Sequence, residues 1–221
     1  MEYFSRLEKM AIVRYIGIEG IEESAAYECA RILDGGGVVI YPTETIYGIG
    51  ADCENEDAIR RVNIIKGREE DAPQIVLIAL EWIDRYVENA KVLEPLIDAF
   101  LPGPLTMISR VKKKSVPKIL APDGKIAVRV SPAWFVQSVL KNLGRGITST
   151  SANFSAEKPL VKAKEIIPAF WDDVDAMFLY KDEVLSSAPS TIIDVSRFPE
   201  KYEIIREGAI SGEAIENALK L

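Results

Sequence analysis

The 221-residue sequence predicts a single α/β domain built on a mixed, strongly twisted open sheet. Three observations lead there. Short β-branched apolar runs and amphipathic helical stripes follow one another at uneven spacing, which suits a mixed sheet better than a regular doubly wound one. No Pro/Gly-rich linker, internal repeat or low-complexity tract divides the chain. The composition, 48% hydrophobic and 28% charged, is that of an ordinary globular protein with enough chain for a substantial core.

Residues 1–12 read as an N-terminal extension and 13–221 as the domain. A first strand is expected over 13–18 (VRYIGI). A helix over 21–33 follows, with Ile21, Ala25, Cys29 and Ile32 on one stripe, and the glycines at 35–37 stop it. Residues 38–41 (VVIY) read as a buried strand. Pro42 then withdraws a backbone donor, so the strand leaves its ladder there. Thr43, Glu44 and Thr45 make a hydroxyl-rich turn, and Gly48 and Gly50 permit tight or left-handed backbone. Asn55 caps a helix with an acidic first turn (Glu56, Asp57) and an apolar stripe of Ala58, Ile59, Val62 and Ile65. It ends near Gly67, which puts Lys66 and Arg68 at its C-terminal edge. Strand, hydroxyl turn, helix and two cations together look like one wall of a nucleotide site, although each part also occurs as an ordinary turn or cap.

A buried strand is expected over 75–80 (IVLIAL), then helices over 82–87 and 92–100. The Pro102-Gly103-Pro104 turn feeds a strand over 105–111, and 112–115 is a polar link. Pro122-Asp123-Gly124 turns the chain into a strand over 126–130, which Arg129 interrupts. A charge in a buried strand is costly unless paired, so Arg129 either has a partner or lies on an edge strand and reaches water. A helix over 132–143 carries Trp134, Phe135, Val139 and Leu140 as its apolar side. Residues 149–155 (STSANFS) hold five hydrogen-bonding side chains in seven positions, which suits a ligand loop or a serine-rich cap. Then come a helix over 164–170, a strand over 177–180 and a third hydroxyl-rich turn over 186–191. Strands over 192–195 and 202–206 and a closing helix capped by Ser211 complete the chain.

The composition also excludes chemistry. There is no histidine, which removes Ser-His-Asp catalysis and His metal ligation. Two cysteines, Cys29 and Cys53, are too few for a disulfide framework. No Gly-x-x-x-x-Gly-Lys-Ser/Thr is present, so there is no P-loop. A net charge of −7 speaks against a protein whose main task is gripping duplex nucleic acid. No apolar run reaches the roughly 18 residues of a membrane span. The N-terminus has no signal-like apolar region, so a cytoplasmic location is expected.

Taken in order, seven blocks resemble one family. They are 42–50 (PTETIYGIG), Lys66-Gly67-Arg68, 102–106 (PGPLT), Ala127-Val128-Arg129, 149–153 (STSAN), 189–194 (PSTIID) and Ile205-Arg206-x-Gly208. These are similar to the signature blocks of the YrdC-like threonylcarbamoyl-AMP synthases, over about residues 17–208. The resemblance implies a twisted open sheet with helices around a deep concave cleft, in the short form without the extra C-terminal domain of longer members. It implies synthesis of L-threonylcarbamoyladenylate and pyrophosphate from L-threonine, bicarbonate and ATP. The product would pass to a separate tRNA threonylcarbamoyltransferase, which modifies the adenosine beside the anticodon of ANN-decoding tRNAs.

Residue by residue, the resemblance places Lys66, Arg68, Lys125, Ser151, Asn153 and Arg206 on ATP, with Lys66 and Arg68 as the catalytic cations. It places Thr45, Arg129, Ser149 and Ser190 around threonine. Mg²⁺ would ride on the ATP phosphates, with no protein metal site. Departures are Glu69, Ala72 and Leu77, where many members have Pro, an ATP-contacting Asn and a threonine-contacting His. Ser155-Ala156-Glu157 replaces the usual Ser-Gly. An alternative is a paralogue of the same fold that handles another carbamoyl adenylate or contacts tRNA or double-stranded RNA. No membrane partner is expected.

Overall fold

The computed structural model describes residues 10–17, 21–112, 116–155, 157–181, 185 and 188–220. In chain order the elements are β1 (Ile12–Ile16), α1 (Glu22–Asp34), β2 (Val39–Pro42), β3 (Tyr47–Gly50), α2 (Glu56–Ile65) and β4 (Ile75–Leu77). Then follow α3 (Ile83–Tyr86), α4 (Glu94–Phe100), β5 (Leu105–Arg110), β6 (Lys125–Arg129), α5 (Trp134–Leu143) and β7 (Ile147–Ser151). The last are α6 (Ala163–Phe170), β8 (Ala176–Tyr180), β9 (Thr191–Arg197), β10 (Lys201–Arg206) and α7 (Gly212–Leu219). The strands form one mixed sheet in the order β1-β8-β2-β3-β7-β4-β6-β5-β9-β10. The expected single α/β domain with a mixed open sheet is what the chain adopts.

Both faces of the sheet are covered, which explains why its strands read as continuous apolar runs. In β2, Val39 and Tyr41 enter the larger core while Ile40, with Val38 just before the strand, enters the smaller one on the opposite face. In β8, Phe178 and Met177 divide the same way. Helices α1 and α5 pack on the first face, where Phe135 and Phe178 rings lie 5.2 Å apart. Helix α6 packs on the second, where Phe154 and Phe170 lie 5.0 Å apart.

Several expectations shift. Strand β1 begins at Ile12, inside the expected extension, whose residues 1–9 lie outside the described residues. Ile21 is exposed and the buried stripe of α1 runs through Ala25, Ala26, Cys29, Ala30 and Leu33. Trp134 is 46% exposed, because it starts α5 and the helix buries Phe135, Val136, Val139, Leu140 and Leu143 instead. The strand expected over 75–80 stops at Leu77, and Leu80–Trp82 already turns as 3-10 helix. Residues 113–115, Ser186 and Ser187 lie outside the described residues.

The largest correction is β3, which the glycines concealed. Gly48 and Gly50 are not in left-handed backbone; they pair with Tyr41 and Val39 across a hairpin. A Cβ on Gly50 would stand 1.8 Å from the Thr148 carbonyl oxygen. Glycine is required there by close approach, since β3 also pairs with β7. Gly50→Ala is expected to destabilise the fold by about 3 kcal/mol, the upper end of overpacking costs, read as a lower urea midpoint with unchanged slope.

Candidate active site

Six strand ends meet in a cross-strand row. Gly48 of β3 faces Ser151 of β7, and Ile75 of β4 faces Ser149. Leu77 pairs with Arg129 of β6, which pairs with Thr106 of β5, which pairs with Ile192 of β9. A cleft of about 450 Å³ opens at this row. Its lining includes Thr45, Arg68, Arg129, Ser149, Ser151, Ser190 and Arg206, so residues from six of the seven sequence blocks share one hollow.

The β2–β3 loop builds one rim. Thr43 ties it: its amide and hydroxyl both donate to the Ile46 carbonyl, at 3.2 and 2.6 Å, and its Oγ1 accepts from the Thr45 and Ile46 amides at 3.2 Å. That knot presents Thr45, whose Oγ1 accepts from the Arg129 guanidinium at 3.1 Å. Strand β6 lies inside the sheet between β4 and β5, so Arg129 is not on an edge. It is 7% exposed and paired with Glu44, whose second oxygen accepts from the Ser131 hydroxyl. Gln137 of α5 donates to the Ser131 carbonyl at 2.6 Å and holds this support from behind.

The opposite rim comes from β9 and β10. Ser190 Oγ lies 3.0 Å from Thr106 Oγ1, and Arg206 donates to the Ser190 carbonyl at 2.7 Å. Burial, and then the neighbouring Arg129 charge, lower the Arg206 pKa from its ordinary value. Two guanidinium groups at one cleft repel each other, and an anion placed between them relieves that cost. Arg68, at the C-terminal end of α2, donates to the Pro73 carbonyl at 3.2 Å and is likewise lowered by burial.

Lys66 and Asn153 stand one layer behind the lining. Lys66 is 3% exposed, and its Nζ donates to the Ser151 carbonyl, to the Asn153 carbonyl at 2.7 Å and to Asn153 Oδ1 at 3.3 Å. Asn153 Nδ2 donates to the Phe154 and Glu157 carbonyls at 2.8 and 2.7 Å. The lysine thus fixes the loop that carries Ser151. Burial, helped by the Arg68 charge, pulls the Lys66 pKa down to about 8. The structure does not bring Lys125 to the cleft. It opens β6, four residues and about 13 Å from Arg129 at strand rise, and pairs with Asp194 at 2.9 Å.

Sequence reasoning singled out neither Glu44 nor Gln74 as site residues. A carboxylate between two hydroxyls, opposite a buried arginine elsewhere in the chain, is the signal for Glu44. Gln74 is a buried amide at the mouth of an apolar strand, and a polar residue preceding IVL is its only sequence mark. Of the departures, Leu77 is buried in the larger core, and Ala72 lends its carbonyl to Asn63. Among the described residues no three His, Cys, Asp or Glu side chains are grouped as metal ligands. No described helix is long and apolar enough to cross a membrane.

A Sua5/YciO/YrdC family model, described as telomere recombination, matches residues 31–208. A doubly substituted P. abyssi Sua5 is 29% identical with a TM-score of 0.84, the match covering 94% of this chain and 63% of that one. P. abyssi Sua5 complexed with L-threonine is 27% identical with a TM-score of 0.81, covering 95% and 60%. The chain therefore spans about 60% of the length of those Sua5 chains. E. coli YciO, 23% identical with a TM-score of 0.79 over 93% of this chain and 99% of its own, shares the fold. A family model spanning most of the sequence, over a fold that these relatives share across more than nine-tenths of this chain, establishes that the chain belongs to the Sua5/YciO/YrdC family.

Proposed function

We propose that this chain is an L-threonylcarbamoyladenylate synthase, a nucleotidyltransferase that joins L-threonine, bicarbonate and the AMP part of ATP and releases pyrophosphate. One observation carries the reading: Arg129, buried and hydroxyl-flanked, shares a cleft with Arg206 and Arg68, so the site calls for a small carboxylate beside a polyanion. The Sua5 relative complexed with L-threonine supports the amino-acid half. Arg129 with Thr45, Ser149 and Ser190 receives the threonine carboxylate and hydroxyl. A site that hydrogen-bonds a hydroxyl rejects valine, which leaves those groups unpaired. Arg68, Arg206 and Ser151 receive ATP, with Lys66 and Asn153 shaping their loop.

The chemistry is then largely positional. The threonine amine forms an N–C bond to bicarbonate carbon, with loss of water, and gives a carbamate. A carbamate oxygen forms a P–O bond at the α-phosphorus as the bond to pyrophosphate breaks. The arginines stabilise charge on the phosphoryl oxygens. Mg²⁺ bound to the triphosphate would neutralise further charge; the hydroxyl and guanidinium lining of the cleft suits a metal that arrives on its substrate. The product would serve a tRNA threonylcarbamoyltransferase.

The test is pyrophosphate release in the presence of ATP, Mg²⁺, bicarbonate and single amino acids. Release is expected only when both L-threonine and bicarbonate are present. Release without them, or with valine equally well, overturns the assignment. A pH dependence follows from Lys66, whose cationic form dominates below pH about 8 and is lost above it. ATP affinity, titrated without threonine, is expected to be flat up to that pH and to fall beyond it.

A further inference from the structure

Among the described residues, two buried side-chain atoms have no hydrogen-bond partner: Arg129 Nε and Gln74 Oε1. Both residues line the cleft. Buried polar atoms are nearly always paired in native proteins, and leaving one unpaired is costly. Their coincidence at one cleft points to groups completed by ligand. The Arg129 atom is a donor and suits a carboxylate. The Gln74 atom is an acceptor and needs an N–H or O–H.

The amide orientation at Gln74 is set by its neighbours. Asn63, fully buried on α2, uses Nδ2 to hold the Glu70 and Ala72 carbonyls at 2.7 and 2.8 Å. Its Oδ1 must therefore accept. Gln74, 4% exposed, supplies the donor: its Nε2 bonds Asn63 Oδ1 and the Ile59 carbonyl, each at 3.0 Å. With both Nε2 hydrogens used, Oε1 is left over. Flipping the amide would set two oxygens against one another and is excluded by this network.

Position narrows the ligand. Gln74 follows Pro73, which Arg68 touches, and precedes Ile75, which pairs with Ser149 in the strand that ends at Ser151. It therefore lies on the wall carrying Arg68, one of the two lining cations assigned to the nucleotide. Phosphate oxygens only accept hydrogen bonds from a protein. The donors of an adenine nucleotide are its ribose hydroxyls and the exocyclic amine of its base. We propose that Gln74 Oε1 accepts a hydrogen bond from one of these donors and makes Gln74 a specificity-determining residue for the nucleotide. This rests on the nucleotide half of the function proposed above.

The test is equilibrium binding of four nucleotides to the full chain: ATP, its 2′-deoxy and 3′-deoxy forms, and the purine ribonucleoside triphosphate lacking the exocyclic amine. Wild type is expected to bind one of the three analogues about tenfold more weakly than ATP, the size of one hydrogen bond. Gln74→Met, similar in length but without the acceptor, is expected to bind ATP about tenfold more weakly and to lose that one discrimination. The ratio between nucleotides cancels any general loosening of the fold. Wild type binding all four alike overturns the assignment without any variant, as does Gln74→Met keeping the wild-type ratios. A variant that instead weakens only L-threonine moves Gln74 to the amino-acid side and overturns the nucleotide assignment. If wild type binds ATP not at all, the proposed function falls with it, a result distinct from intact binding without discrimination.

Discussion

Lys66→Ala is expected to lower kcat/KM for ATP-dependent pyrophosphate release by at least about 100-fold, the scale of a misplaced positioning group. The reason is the loop it holds. Its ammonium bonds two backbone carbonyls and one side-chain oxygen across residues 151–153, and alanine leaves those acceptors without their donor. A stability loss of about 2 kcal/mol should accompany the kinetic one. Arg68→Ala separates the two effects. Arg68 donates to Pro73 from the cleft wall, so its removal should cost turnover on a similar scale with little change in urea midpoint. Measuring both variants by pyrophosphate release and by urea unfolding checks this. Unchanged turnover in Lys66→Ala would remove it from the machinery.

Arg129→Ala is expected to abolish threonine-dependent turnover and to destabilise the fold by about 3 kcal/mol. Glu44 and Ser131 are arranged to receive a cation, and deleting it leaves a largely buried carboxylate unpaired. Arg129→Lys should not rescue turnover, since a point charge cannot bond Glu44 and Thr45 in one plane while offering further donors to a substrate carboxylate. If threonine dependence persisted in Arg129→Ala at saturating ATP, another group would have to bind the amino acid.

Much of this was legible without coordinates, and the reasons differ by element. Asn55 was read as the cap of α2 and does accept from the Ala58 amide at 3.0 Å. Gly67 was read as the stop and sits at φ 63°. Such signals are local, because a cap or a left-handed residue needs only its own few neighbours. Strand β3 was missed because its glycines answer to Thr148 and Ser149, about a hundred positions away. The exposed faces of Ile21 and Trp134 were misjudged because helical periodicity tells which residues share a stripe, not where the stripe meets the sheet.

The site divides along the same line. Thr45, Ser149, Ser151, Ser190, Arg68, Arg129 and Arg206 were marked by residue type and block order, and they do line one cleft. Lys125 was marked too, but it stands at the opposite end of β6 from Arg129 and pairs with Asp194. The Arg129 partner was left open between water and an ion pair, and the interior place of β6 decided for Glu44.

By itself the sequence determined most of the element types, the caps that Asn55 and Ser211 supply, the lack of imidazole chemistry and the set of hydroxyls and cations available, since all of these follow from residue identity and short-range geometry. Only the tertiary structure decided that Thr45, Ser149, Ser151 and Ser190 open onto one cleft, that Lys66 faces a loop and not the lining, and that Gln74 keeps a spare acceptor. Those facts depend on strand order and on contacts between residues far apart in the chain, which no local pattern encodes.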